Sequence, residues 1–144
     1  MLVTFSRAER LSSTVQPEEP ISRFITYKHH FKEEAGYVSQ AAFQPSPRTN
    51  DTSVYRVKGW TDSKIWWVAD NFVTALRKDR KKVLARADVT AEKIFEQELN
   101  IEATSTPHSR HANINRWPED KSTRKSKALE IAKNAVLHLH PRNN

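Results

Sequence analysis

Cysteine is absent from the 144 residues, which removes disulfides, thiolate chemistry and Cys-ligated metals from consideration. Glycine occurs only twice, too rarely for the glycine-rich loops that cradle phosphates in dinucleotide-binding and P-loop sites. Long apolar runs are also missing. The longest is residues 65–69, and residues 1–7 hold no apolar stretch of signal length, so neither a secretory leader nor a membrane span is expected, and a cytoplasmic location is the default. The six histidines fall in three close pairs (His29 with His30, His108 with His111, His138 with His140), but no HExxH motif or comparable ligand spacing accompanies them. No metal and no cofactor is expected.

The chain has the length of one domain, and a domain of that size buries roughly two-thirds of the surface its unfolded chain exposes. Hydrophobic residues make up only 37% of it, yet four Trp, six Phe and three Tyr concentrate apolar burial in a few large side chains. The formal charge is +7. Its distribution is uneven: Arg77, Lys78, Arg80, Lys81 and Lys82 form one cationic block, Lys121, Arg124, Lys125 and Lys127 a second, and the rest of the chain is close to neutral. Two such blocks on a neutral body point to a docking surface for an anion.

Residues 1–20 read as a flexible arm, because Pro17, Pro20, Ser12 and Ser13 interrupt any period. The remainder, 21–144, reads as a single α+β domain. Alternation of Ile21, Arg23 and Ile25 with Ser22, Phe24 and Thr26 predicts a strand, and a second is expected within 37–43. Pro45, Pro47, Asn50 and Asp51 mark a loop before a strand at 53–57. Thr61 or Asp62 caps the clearest helix, whose stripe runs through Ile65, Ala69, Phe72 and Leu76. A strand at 83–89, a short helix capped by Thr90 and a short strand at 101–104 follow. Residues 105–118 read as a long irregular loop, and 119–139 as a closing helix. The expected fold is α+β: a small, mostly antiparallel sheet packed by two main helices and one short one.

Three sets of residues are candidates for function. Cations at 77–82 follow a helix C-terminus, where the dipole favours them, whereas Arg124 and Lys125 lie in the first turns of the last helix, against the dipole, which points to an anion site near 122–127. Adjacent Trp66 and Trp67 point about 100° apart on a helix, so one leaves the core, and the pattern assigns the outward position to Trp67, as a stacking or anchoring surface. The segment His111-Ala-Asn113-Ile-Asn-Arg-Trp117-Pro joins an acid/base candidate to an amide, a guanidinium and an indole. With Arg56, Arg86 and Asp88 it would suit metal-free phosphodiester or glycosidic-bond chemistry, His111 moving a proton and the arginines holding anionic oxygens. A purely structural role for the same residues, tying down a loop by hydrogen bonds, is the alternative.

The succession Ser53-Val-Tyr-Arg56, Arg86-Ala-Asp88-Val89 and His111-Ala-Asn113-Ile114 with Trp117-Pro118 resembles a short family of bacterial proteins that share an S-V-[YF]-R, R-A-D-[VI], H-A-N-I-x-x-W-P pattern. The resemblance implies a bacterial source and a mobile-element or defence setting, and it carries over no catalytic residue. The function expected from the sequence is a small basic module contacting nucleic acid or another polyanion. A nuclease or a nucleotidyl- or ADP-ribosyl-type transferase built on His111, and an adaptor for an acidic protein surface, are the alternatives.

Overall fold

The computed structural model describes residues 11–143. Its centre is a six-stranded antiparallel sheet built from β1 (Pro20–Ile25), β4 (Thr52–Arg56), β5 (Ala85–Thr90), β6 (Asn100–Ala103), β7 (His111–Asn115) and β8 (Val136–Leu139), in the order β6-β7-β4-β1-β5-β8. A two-stranded ribbon of β2 (Phe31–Lys32) and β3 (Tyr37–Val38) stands apart from it. The helices are α1 (Asp62–Val68), continued by a π-helical turn at Ala69–Thr74, α2 (Ala91–Phe95) and α3 (Lys121–Lys133). This is the α+β architecture the alternation implies. No described helix is long and apolar enough to cross a membrane.

Period-2 alternation divides the strand residues between two faces. On the first face Ile21, Ile25, Val54, Ala85, Ala87, Val89, Ala112 and Ile114 form a core with Ala128, Ile131 and Ala132 of α3. On the second, Phe24 and Tyr55 pack with Ile65, Trp66, Val68 and Ala69 of α1 and its π turn. Each fully buried Ile, Val or Phe contributes about 1.5–3 kcal/mol, so the few large side chains suffice once both faces of one sheet are covered.

Three elements differ from the sequence reading. Residues 105–118 do not form a single loop, since His111–Asn115 is an interior strand paired with both β4 and β6. Its buried phase is only Ala112 and Ile114, and the polar phase of His111, Asn113 and Asn115 hides the period. The closing helix stops at Lys133, and Val136–Leu139 pairs with β5 as an edge strand, because Leu137 and Leu139 pack on the first core at a spacing of two. The strand expected within 37–43 is Tyr37–Val38 followed by a 3-10 turn at Gln40–Ala42, where the Ser39 hydroxyl accepts from the Ala41 amide.

Residues 1–10 of the expected arm lie outside the described residues. Within 11–20, Val15 joins the first core and Glu19 is 2% exposed, whereas residues 12–14 and 16–18 are exposed. Glu19 receives both hydrogen bonds of a bidentate pair with Arg56, from Nε and Nη2, each at 2.8 Å, and the Gln16 amide donates to it at 2.8 Å. Burial pushes the Glu19 carboxyl up, but the bonds from Arg56 and Gln16 outweigh it and hold it below the ordinary value. Removing one partner of a buried pair leaves an uncompensated charge, so Glu19→Ala is expected to cost about 3–5 kcal/mol, measured by urea unfolding. Because the folded carboxyl titrates below the unfolded one, the stabilisation is present above the unfolded value and is lost as the pH falls through the folded one. Glu19→Gln should flatten that acid limb of the wild-type stability curve.

Candidate functional site

Strands β1 and β5 pair over their whole length, from Pro20↔Thr90 to Ile25↔Ala85. The β1–β4 ladder, by contrast, holds only Ile21↔Arg56 and Ser22↔Tyr55. Beyond Ser22 the two strands part, and Arg23 spans the gap. Its Nε donates to the Ala42 carbonyl at 2.7 Å and its Nη1 to the Ser53 carbonyl at 3.0 Å, an acceptor that a continued β1 ladder would have used.

A cleft of about 520 Å3 opens at this split. Its walls are Phe24, Tyr27 and Tyr55 from the sheet side and Phe72, Val73 and Leu76 from the end of the helix. The π turn, closed by the Ala75 amide on the Asp70 carbonyl, aims Phe72 and Val73 at the cleft, and such turns often occur at functional sites. Arg23, Arg48, Arg77, His30, His111 and Ser53 supply its polar groups, and no Asp or Glu lines it among the described residues. Arg77 is held by Asp79 through bonds of 2.8 and 2.9 Å, whereas Arg23 and Arg48 form no ion pair among the described residues. Desolvation and then the nearby Arg77 charge pull the Arg23 guanidinium down to about 10. Cations pressed together in this way favour an anion between them.

The His111 imidazole lies between two hydroxyls. Nε2 is 2.7 Å from Ser53 Oγ and Nδ1 is 2.5 Å from Thr104 Oγ1. Thr104 Oγ1 also reaches the Thr106 carbonyl at 3.0 Å and the His111 carbonyl at 3.2 Å, and neither carbonyl can donate. With its single proton on a carbonyl, the network would have Nδ1–H donate to Oγ1 and Nε2 accept from the Ser53 hydroxyl. Burial and the adjacent His108 hold His111 below its ordinary value, and burial, His29 and Arg23 do the same to His30. Both rings are neutral at pH 7.

The structure separates the arginines expected to join His111. Ile21↔Arg56 puts Arg56 on the first face, bound to Glu19, whereas Tyr55↔His111 puts His111 on the second. Arg86 is on the second face but lies beneath α1. Its Nη2 donates to Asp62 at 2.7 Å, its Nε to Asp88 at 3.0 Å, and its guanidinium carbon is 4.7 Å from the Trp66 ring centre. Neither Arg56 nor Arg86 lines the cleft.

The two cationic blocks also part. Residues 77–82 continue from the helix on the second face and reach the cleft rim, where Lys81 Nζ lies 4.1 Å from the ring centre of Tyr27; Lys78, Arg80 and Lys82 are exposed nearby. Lys121, Arg124, Lys125 and Lys127 belong to α3, which covers the first face. There Asp120 caps the helix, accepting from the Thr123 amide at 2.8 Å. Arg124 Nη1 donates to the Pro118 carbonyl at 3.1 Å and to that of Glu119, and Lys127 Nζ donates to the Gln97 carbonyl. Of the anion site expected near 122–127, the Thr123 amide, Arg124 and Lys127 bond to the chain's own carboxylate and carbonyls, whereas Lys121 and Lys125 are exposed. Trp67 is 52% exposed, as its helical position implies, whereas Trp66 is buried. His140, beyond the helix expected at 119–139, is buried and bonded to Asp70 at 3.1 Å.

The sequence reading overlooked Arg23, Arg48, His30, Ser53 and Thr104 as site residues. A signal was present for Arg23, the one charged residue in the apolar phase of Ile21 and Ile25. No family model, no curated protein and no solved structure matches the chain.

The hydrogen-bond assignment has a direct spectroscopic check. At pH 7 the His111 ring nitrogens should report the Nδ1–H tautomer by NMR, with a titration midpoint below the ordinary value near 6.5. An Nε2–H tautomer would reverse the Ser53–His111 donor and acceptor roles.

Proposed function

We propose that this protein is a nucleic-acid-binding module that receives a single strand in the cleft at the β1–β4 split. The observation that carries this reading is the lining itself: Arg23, Arg48 and Arg77 with no carboxylate among the described residues. Guanidiniums pair with phosphate through fixed donor forks. Tyr27, which is exposed, and half-buried Phe72 in the same walls supply the apolar faces on which bases stack, above the buried rings of Phe24 and Tyr55. A volume of about 520 Å3 lies within the roughly 300–1,000 Å3 typical of small-ligand sites, and it suits one or two splayed nucleotides better than a duplex groove. Residues 77–82 extend the cationic surface beyond the rim. The block on α3 contributes little to this reading, because two of its four cations already bond to backbone carbonyls.

Binding of this kind weakens with salt, the logarithm of affinity falling by about 0.7 per phosphate contact for a single strand. Fluorescence anisotropy with a short labelled single-stranded RNA should therefore show steep salt dependence. Arg48→Ala should weaken binding about tenfold or less at low salt and reduce the slope by about 0.7–0.9. Lys121→Ala/Lys125→Ala should change both far less. Equal effects of the two variants, or retention insensitive to salt, would overturn the cleft as the contact surface. Capture of an acidic protein that persists after nuclease treatment, without RNA affinity, would favour the adaptor reading.

A further inference from the structure

The cleft holds more than cations. Ser53 is exposed on its wall, its hydroxyl lies 2.7 Å from Nε2 of the His111 imidazole, and the far ring nitrogen is 2.5 Å from the Thr104 hydroxyl. A hydroxyl bonded to a base, with a third group orienting that base, is the arrangement by which a serine is made nucleophilic. Strand geometry alone would account for one diagonal contact between β4 and β7. It does not account for the placement of this pair against Arg23 and Arg48, which form no ion pair among the described residues. Arg23 Nη1 binds the carbonyl of Ser53 itself, at 3.0 Å, and Arg23, Arg48 and Arg77 line the same cleft as Ser53.

We propose that Ser53 is a nucleophile toward phosphodiesters, with His111 as its general base and Thr104 as a positioning residue, so that the cleft cleaves what it binds. This rests on the reading above that the cleft receives a phosphate backbone. In the first half-reaction His111 Nε2 takes the Ser53 hydroxyl proton as Oγ forms a bond to phosphorus. The bond from phosphorus to the leaving oxygen breaks, and that oxygen takes the proton back from Nε2. In the second, a water gives a proton to Nε2 while its oxygen bonds to phosphorus. The phosphorus–Oγ bond then breaks, and Ser53 recovers its proton from the imidazolium. One phosphodiester and one water become one phosphomonoester and one alcohol. The arginines face the charge that gathers on the non-bridging oxygens at each transfer, which is where fixed donors accelerate phosphoryl transfer. Attack by a protein hydroxyl needs no 2′-hydroxyl on the substrate, so both DNA and RNA strands are within this chemistry.

The test uses the full chain with bis(p-nitrophenyl) phosphate and with labelled single-stranded RNA and DNA. Expected are p-nitrophenol release, cleavage of both strands, and an acid-quenched protein whose mass rises by the transferred p-nitrophenyl phosphoryl group at Ser53. Ser53→Ala should remove turnover and adduct, and a wild-type urea unfolding midpoint shows that it folds. His111→Ala should lower turnover about 10²–10⁴-fold. Thr104→Val should lower kcat with KM unchanged and displace the pH profile, and Thr104→Ser should restore both. Wild-type turnover by Ser53→Ala, or cleavage of RNA but not DNA without an adduct, would overturn the nucleophile assignment. Strand binding without any turnover would overturn it too and leave the binding reading standing. Turnover of bis(p-nitrophenyl) phosphate without strand binding would sustain Ser53 and sink the binding reading instead.

Discussion

The Glu19–Arg56 ion pair holds the two halves of the sheet together where their backbones pair. Strands β6, β7 and β4 form one half and β1, β5 and β8 the other, and their backbones join through Ile21↔Arg56, Ser22↔Tyr55 and the Val57 amide on the Pro20 carbonyl at 3.1 Å. Arg56 is itself one of those joining residues. Its side chain binds the carboxylate that immediately precedes β1, its amide donates to the Arg110 carbonyl at 2.9 Å, and its carbonyl accepts from Arg110 Nη1 at 3.0 Å. Burying two charges is costly, and the cost is offset here by bidentate geometry and the added Gln16 amide. Such a pair fixes one register where hydrophobic contact alone would tolerate slippage.

The same junction decides what the arginines do. Where the strands are joined, Arg56 meets a carboxylate and is silent. One residue beyond the junction, Arg23 finds only carbonyls, and its positive charge is left facing the cleft with Arg48 and Arg77. Net charge is therefore a poor guide to the surface. On α3 a cationic run serves the helix start and the chain below it, whereas three scattered arginines, invisible as a cluster in the sequence, converge through the split in the sheet.

That contrast explains which parts were legible in advance. The α+β class, the helix capped by Thr61 and the outward Trp67 follow from local period and capping, which act within a few residues. Strand β7 is built on alternation too, but only Ala112 and Ile114 mark its buried phase, so Pro107 and the surrounding polar residues dominate the pattern. The site depends on register between strands far apart in the chain: Ser53 meets His111 through the β4–β7 pairing, and Arg23 meets Ser53 through the missing β1–β4 pairing. His111 could be singled out as an acid/base candidate from its neighbours. Its partners could not, because nothing local distinguishes Ser53 or Thr104 from other strand hydroxyls.

A sheet whose halves share so short a seam relies on its covering layers for continuity. Ile21 and Ile25 of β1 share one core with Val54 of β4 and Ala112 and Ile114 of β7 beneath α3, and on the opposite face Phe24 of β1 meets Tyr55 of β4 with ring centres 5.4 Å apart. The two blades are thus clamped from both sides, so that side-chain packing, more than backbone pairing, sets the width of the aperture that Arg23 spans.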